Sequence, residues 1–222
     1  MVMDGHTAMP TDAQILTLTQ WFSPGYPVGA YAYSHGLEWG IEAGDVRDFS
    51  TAKQWVADVL SHGTGWNDAL FMSAAFEADG DALAELDEEC RAFAPSRERL
   101  KEADLQGAAF CEITGELLGA RLKGLSYPVA VGRAARLADL PVQLTMQMYL
   151  QAFLANLAAV AMRLVPLGQT DGQRLIRDLT PMCSEIAKKA MGATLDDLSS
   201  TAFLADIASM KHELQYSRIF RT

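Results

Sequence analysis

The chain has 222 residues, of which half are hydrophobic and 21% are charged. This length allows one large domain or two small ones, and it buries enough surface to fold without disulfides or a structural metal. With 18 basic and 28 acidic residues, the formal net charge is −10. Binders of nucleic acid and of anionic membranes need a basic face, so the charge argues against both classes.

The acidic surplus lies in the first half of the sequence. Residues 1–106 contain 18 acidic and 6 basic residues, whereas residues 107–222 contain 10 acidic and 12 basic residues. A nearly neutral surface is easier to desolvate against a partner than a strongly charged one. We therefore expect partner contacts to lie in the second half.

Cysteine usage and the N-terminal residues predict a cytoplasmic protein. Cys90, Cys111 and Cys183 are far apart and form no Cys-x-x-Cys pair, which favours reduced thiols over a disulfide framework. Residues 1–10 contain neither a basic stretch nor an apolar run, so we expect no signal peptide. We expect these ten residues to be disordered.

Helical periodicity begins near the N-terminus. Residues 11–14, Thr-Asp-Ala-Gln, predict a capping box that opens a helix through Phe22. Residues 51–54, Thr-Ala-Lys-Gln, predict a second box. Residues 66–93 and 96–122 then form two long stretches without proline.

The acidic stretch 77–104 has ten acidic and four basic residues, which predicts solvated helix faces around a turn at Pro95. Tyr127-Pro128 is followed by Val129-Ala130-Val131, a weak strand signal that lacks a hairpin dipeptide.

Residues 141–162 contain no charged side chain and are long enough to cross a bilayer. Several polar residues interrupt the run, and its leucines recur at helical spacing, so a helix buried among other helices is favoured. Pro166 predicts its end, and Thr170 with Gln173 predicts a cap for the next helix. Pro181 predicts a kink or a restart in that helix.

Together the patterns predict one all-α domain over residues 1–222, a bundle of about eight to ten helices with a glycine- and proline-rich N-terminal loop.

Enzymatic motifs are absent from the sequence. It contains no P-loop, no Gly-x-Gly-x-x-Gly after a strand, no Gly-x-Ser-x-Gly and no His-Glu-x-x-His. The four histidines show no local metal-binding spacing. A long-range site, such as His35 or His212 with a carboxylate, stays open.

The first distinctive segment is the loop at residues 21–38, which contains two prolines, several glycines and three tyrosines and leads into a helix predicted to begin near Ser34. His35 and Glu38, three residues apart, are compatible with an acid/base pair. The favoured interpretation is that both orient the loop by hydrogen bonds.

Two further segments are distinctive. Residues 163–173 form a helix–turn–helix joint in which Arg163, Gln169 and Asp171 are not explained by capping. Residues 210–222 end the chain with aromatic, aliphatic and arginine residues, a mixture typical of interfaces. This segment docks either on its own domain or on a partner.

These three segments, in this order, resemble the urease accessory protein UreF family over essentially the whole chain. The departures from the family pattern are mild: Gly25-Tyr26 in the loop, and Leu214, Ile219 and Thr222 near the C-terminus. The resemblance implies an all-helical, dimeric, cytoplasmic chaperone that is not an enzyme and has no cofactor.

The same resemblance implies an adaptor that assembles with UreD (also called UreH) and the GTPase UreG on apo-urease. GTP hydrolysis by UreG then drives nickel insertion into urease, and the adaptor is expected to modulate the GTPase. Nickel is handled by the complex rather than held tightly by this chain.

The resemblance also implies partner-binding residues in all three segments. They are Tyr216, Arg218, Phe220, Arg221, His212 and Glu213 in the C-terminal segment, Gln169, Thr170 and Asp171 in the joint, and Tyr31, Ser34, His35 and Glu38 in the loop. Two alternatives remain: an all-α cytoplasmic enzyme that uses His35 and Glu38 as acid and base, and a nickel-storage protein.

Overall fold

A computed structural model describes residues 9–221, and within this range the chain is all-α and has no strand. The ten helices are α1 (Asp12–Trp21), α2 (Leu37–Glu42), α3 (Phe49–His62), α4 (Thr64–Glu77), α5 (Gly80–Ala92), α6 (Arg97–Leu118), α7 (Tyr127–Leu137), α8 (Val142–Leu164), α9 (Gln169–Ala190) and α10 (Phe203–His212). Short 3-10 turns lie at Ala30–Ala32 and Leu195–Asp197. The predicted single-domain helical bundle is confirmed. The disorder predicted for residues 1–10 falls mainly on residues 1–8, which lie outside the described residues.

Helix capping confirms one sequence prediction and corrects two others. Thr11 and Gln14 form the predicted capping box at the start of α1. The second box begins at Asp48 rather than at Thr51: the Asp48 carboxylate accepts the Thr51 N–H at 2.9 Å, and Thr51 closes the box. The N-cap of α9 is Gly168, which has no side-chain cap, so the predicted cap by Thr170 is wrong because Thr170 already lies inside the helix.

The weak strand signal at residues 129–131 is also overridden, because these residues belong to α7. Pro128 occupies the first turn of α7, where a missing N–H costs nothing. Gly132 lets α7 approach α4 closely, since a Cβ there would lie 2.3 Å from the carbonyl oxygen of Met72. Burial against α4 therefore decides the structure of a segment whose local preference is weak.

Helix α8 is the central helix of the bundle, and it packs against α9, α4, α2, α3 and α7. Leu150, Leu154 and Leu157 have no exposed surface. Among the described residues α8 is the one helix long and apolar enough to cross a membrane, and half of its apolar window is buried inside the protein. Helix α9 continues unbroken through Pro181, so the chain does not start a new helix there.

The acidic stretch 77–104 is only partly a solvated surface. The turn at Pro95 is confirmed, because α5 ends before it and α6 begins after it. However, Asp87, Arg99 and Glu102 are all buried. The prediction of solvated faces is wrong at these positions, since their side chains pair with one another or with backbone groups inside the bundle.

Candidate partner-docking site

The N-terminal loop between α1 and α2 contains a single 3-10 turn and has positive φ angles at Gly29, His35 and Gly36. Helix α2 begins at Leu37, three residues later than predicted, and the Ser34 hydroxyl accepts the N–H of Glu38 at 3.3 Å. A Cβ at Gly36 would lie 2.7 Å from the backbone nitrogen of Ser209 in α10. The absence of a side chain at residue 36 thus brings the loop against the C-terminal helix.

The residues after α10, 213–221, form a tail that docks on its own domain. Phe220 is only 5% exposed, and its ring centre lies 5.5 Å from the guanidinium carbon of Arg163 at the end of α8. The N–H of Arg221 donates to the carbonyl of Ala32 in the N-terminal loop at 2.8 Å. The structure therefore joins parts of all three distinctive segments: the loop, the joint through Arg163, and the tail.

A buried histidine lies at the root of the tail. His212 ends α10 and has no exposed surface. Its Nδ1 lies 2.7 Å from a carboxylate oxygen of Glu98 in α6, and its Nε2 lies 3.1 Å from a carboxylate oxygen of Glu38 in α2. The Glu98 carboxylate also accepts from the guanidinium of Arg218 at 2.5 Å. We call these four residues the His212 cluster.

The Glu38 carboxylate also binds the tail directly. Its two oxygens accept the backbone N–H groups of Ile219 at 2.7 Å and Phe220 at 2.9 Å. At the other end of the tail, the Glu213 carboxylate accepts the N–H of Arg97 at the start of α6, at 2.8 Å. A carboxylate at a helix N-terminus is stabilising. The tail is thus held by charge-assisted hydrogen bonds at both ends.

A second buried histidine belongs to a separate group, the His35 cluster, made of His35, Arg99 and Glu102. His35 Nε2 lies 3.1 Å from Glu102 and 3.2 Å from Arg99, and Arg99 donates to Glu102. Burial lowers the pKa of His35, and Arg99 lowers it further. Burial by itself would raise the pKa of Glu102, but Arg99 and His35 outweigh it and hold that pKa at about 2.

The His35 cluster lines a cavity of about 70 Å³ between α4, α6 and α8. Asp68 faces this cavity and accepts the hydroxyl of Tyr149 at 2.6 Å. Burial raises the pKa of Asp68 to about 6. Burial and the Asp68 charge both raise the pKa of Tyr149, so the phenol remains the donor.

The two candidate acid/base residues have different partners. His35 faces Arg99 and Glu102, whereas both carboxylate oxygens of Glu38 accept hydrogen bonds from the tail. The geometry favours the sequence interpretation in which these residues orient the loop.

Other predicted residues lie on the surface. Tyr31 and Tyr216 are exposed, and Tyr216 is fully so. Gln169, Thr170 and Asp171 lie in the first turn of α9, where Asp171 accepts from Arg174 at 2.8 Å. The described contacts of Asp171 are local, so this turn is not part of the His212 cluster.

Exposed apolar side chains continue from the tail along α10. They are Phe203, Leu204, Ile207 and Met210 on the helix and Leu214, Tyr216 and Ile219 on the tail. On α10, Phe203, Ile207 and Met210 follow one another at intervals of four and three residues, which places them on one face of the helix. Scattered exposed apolar residues are ordinary, but a contiguous group is typical of a binding surface.

Sequence reasoning did not find Glu98, Arg99 and Glu102, which complete both clusters. Their spacing, with a basic residue between two acidic ones, is also typical of an exposed helix.

Within residues 9–221, no group of three or more His, Cys, Asp or Glu side chains is placed to hold a metal ion. All three cysteines are free, and burial raises the pKa of Cys90 and Cys183 to about 12.

The bundle, its docked tail and the adjacent exposed apolar side chains define an all-helical protein. Comparison with known proteins then identifies the family. The UreF family model matches residues 46–180. The urease accessory protein UreF of Ruegeria pomeroyi is 60% identical over 97% of this chain and its own full length.

Further relatives agree. The UreF protein of Ruegeria sp. strain TM1040 is 51% identical over 96% of this chain and its own full length, and that of Roseobacter denitrificans is 49% identical over 96% of both. The chain belongs to the UreF family of urease accessory proteins. The members of this family are chaperones rather than enzymes.

Proposed function

We propose that this protein is the adaptor of a urease maturation complex. It binds UreD (UreH), the GTPase UreG and apo-urease in the cytoplasm, and the complex inserts nickel into urease with GTP hydrolysis. The observation that carries the proposal is the docked tail, which presents exposed side chains next to the apolar face of α10. The protein itself holds no resident cofactor, and it modulates the GTPase through its position in the complex.

The tail supports partner binding in two ways. Tyr216 and Arg218 are exposed, and these two residue types are enriched among the residues that dominate interface energies. Phe220 and His212 are buried, so their contribution is to hold the tail in its bound shape. A tail that is already ordered loses less conformational entropy on binding than a disordered one.

A second contact surface is proposed at the first turn of α9. Gln169 and Thr170 are exposed there, and Arg177 is exposed further along the same helix. Exposed Tyr31 of the N-terminal loop is a further candidate. These residues would contact a different partner from the one that binds the tail.

A homodimer is proposed as the working state of the adaptor. Helix α8 carries a row of small residues, Ala152, Ala155 and Ala159, that are not fully buried, and small side chains permit close helix approach. Light scattering on the purified protein measures the oligomeric state. A monomer at all concentrations would contradict this part of the proposal.

Arg218→Ala tests the proposed partner surface. The bidentate geometry of a guanidinium is not reproduced by alanine, so we expect the variant to stay folded but to lose UreG from the complex. The measurement is co-purification from cells that express urease and its accessory proteins, with urease nickel content as a second readout. Arg121→Ala is the matched control, because its side chain is exposed in the connection between α6 and α7, outside both proposed contact surfaces. Unchanged co-purification of all partners with Arg218→Ala would refute the proposal.

Deletion of residues 213–222 tests the tail as a whole. We expect the central helices to fold without the tail, which leaves a helical protein that no longer assembles the complex. Circular dichroism measures the first expectation and co-purification the second. Loss of helical signal would show that the tail supports the fold rather than partner binding.

A further inference from the structure

The contacts of His212 require more protons than a neutral imidazole supplies. Nδ1 faces Glu98 at 2.7 Å and Nε2 faces Glu38 at 3.1 Å. A neutral imidazole has one N–H and one lone pair, and an ionised carboxylate only accepts. For both contacts to be hydrogen bonds, one additional proton must reside on the ring or on one of the carboxyl groups.

The charges of the His212 cluster balance only with that proton. The charged groups in ion-pair contact with His212 or its two partners are Glu38 on α2, Glu98 on α6 and Arg218 on the tail. Arg97, Lys101 and Arg221 line the same surface pocket as Glu98 but form no described ion pair with it. Farther out, Glu42 accepts from Gln215, and Glu213 lies 3.9 Å from the guanidinium of Arg97. With the extra proton the two carboxylates are matched by two positive charges; without it, a buried negative charge is left unmatched, which is costly.

Loss of the extra proton would push either Glu38 or Glu98 away from the His212 ring, and either movement would disturb the tail. The unprotonated ring nitrogen would then face a carboxylate oxygen at about hydrogen-bond distance, and two lone pairs repel. If Glu38 moved away, it would lose the amides of Ile219 and Phe220. If Glu98 moved away, it would lose Arg218.

We propose that the His212 cluster is a proton-dependent latch: it holds the tail in the docked position while it binds the extra proton, and it releases the tail when that proton is lost. If the tail is the partner surface proposed above, partner binding weakens as the pH rises. That consequence rests on the proposed function, whereas the latch is a property of the isolated chain.

Nuclear magnetic resonance on the isolated full-length protein tests the latch. The His212 ring and the amides of Ile219 and Phe220 are followed across about pH 5–8, the range in which histidine side chains change charge. We expect the ring and both amides to change together with one midpoint, and the two amide protons to lose their charge-assisted downfield shift at high pH. The amide of Leu157, in the core of α8, should not follow.

Two variants sharpen the test. His212→Gln should remove the transition from both tail amides, while His62→Gln, at an exposed histidine of α3, should leave it unchanged. The latch is overturned if the His212 ring titrates without the amides, if neither changes, or if the transition survives in His212→Gln. The wild-type titration decides the matter even if His212→Gln does not fold.

This outcome is separable from that of the adaptor proposal. The titration uses no partner, and Arg218→Ala co-purification does not depend on the pH of the titration. Coupled titration together with unchanged co-purification of Arg218→Ala would support the latch and refute the partner surface. Uncoupled titration together with loss of UreG from Arg218→Ala would refute the latch and support the partner surface.

Discussion

Two histidines are buried among residues 9–221, and they lie in opposite electrostatic settings. His35 lies beside a cation and a carboxylate that are three residues apart on α6, so charge is balanced within one helix turn. His212 lies between carboxylates from two different helices, and the balancing cation, Arg218, comes from the tail. The first arrangement stabilises the bundle internally, and the second ties a separate segment to it.

The titration of His35 follows from its setting. Burial and then Arg99 lower its pKa, so the folded state keeps the ring neutral where the unfolded chain would bind a proton. This contribution to stability is complete above the unfolded value of about 6.5 and is lost as the pH falls below it.

The largest expected effect is that of Arg99→Met. The change leaves Glu102 buried without its cation, and breaking one side of a buried pair costs about 3–5 kcal/mol. Denaturant unfolding followed by circular dichroism measures the loss.

Arg97→Met is the matched control for Arg99→Met. Its side chain is 89% exposed two residues away on the same helix. A surface substitution of this kind changes stability by less than about 0.5 kcal/mol. Equal effects of the two variants would show that the His35 cluster is not a stabilising unit.

Asp68→Asn is expected to have the next largest effect, in the opposite direction. Burial raises the pKa of Asp68 from 3.8 to about 6, so its ionised form is disfavoured in the folded state and lowers stability as the pH rises through that range. Asparagine keeps an acceptor for Tyr149 without the charge. We expect a gain of about 3 kcal/mol at pH 8 and a much smaller one near pH 4.

Unfolding of wild type and Asp68→Asn at both pH values measures this difference. A gain that is the same at low and high pH would mean that the charge of Asp68 is not its cause.

Phe220→Ala should have a smaller effect on the fold. Phe→Ala in a core costs about 3–5 kcal/mol, but here the cost is limited to the free energy that docks the tail. We expect about 1–3 kcal/mol, with amide protection lost at Ile219 and retained in α8. Hydrogen exchange measures both.

The control for Phe220→Ala is Tyr216→Ala, because the Tyr216 side chain is fully exposed on the same tail. Tyr216→Ala should leave the hydrogen-exchange protection of the tail amides intact. If Phe220→Ala reduced the hydrogen-exchange protection of α8 as much as that of the tail, the tail would be part of the bundle core rather than a separately docked segment.

Arg218→Ala should have the smallest effect on stability. Its side chain is 38% exposed and that of Glu98 is 15% exposed, so water partly replaces the lost pairing, and we expect a loss of about 1 kcal/mol. Unfolding of Arg218→Ala beside Arg99→Met compares two arginines that each pair with a glutamate of α6. A loss as large as that of Arg99→Met would contradict the distinction drawn between the two clusters.

Much of the fold was predictable from local patterns. Three correct predictions depend only on residues that are close together in the sequence. They are the capping box at Thr11, the apolar spacing of α8 and the turn at Pro95. The prediction was weaker where packing decides: α7 is helical because it is buried against α4, although residues 129–131 favour strand locally.

The site was less predictable, because its contacts join distant residues. Glu38 and Glu98 reach His212 across 174 and 114 positions, respectively. In the sequence Glu98 is one acidic residue among ten in a charged stretch, with nothing to distinguish it from exposed neighbours. The tail composition indicated docking, and only the three-dimensional arrangement shows that its first docking surface is the chain itself.

The bonds from the Glu38 carboxylate to the amides of Ile219 and Phe220 also impose an order in time. They join positions 181 and 182 residues apart, close to the full length of the chain. Synthesis runs from the N-terminus, so all ten described helices are made before residues 219 and 220. Glu38 can therefore form these two bonds only after the last described helix, α10, has been synthesised.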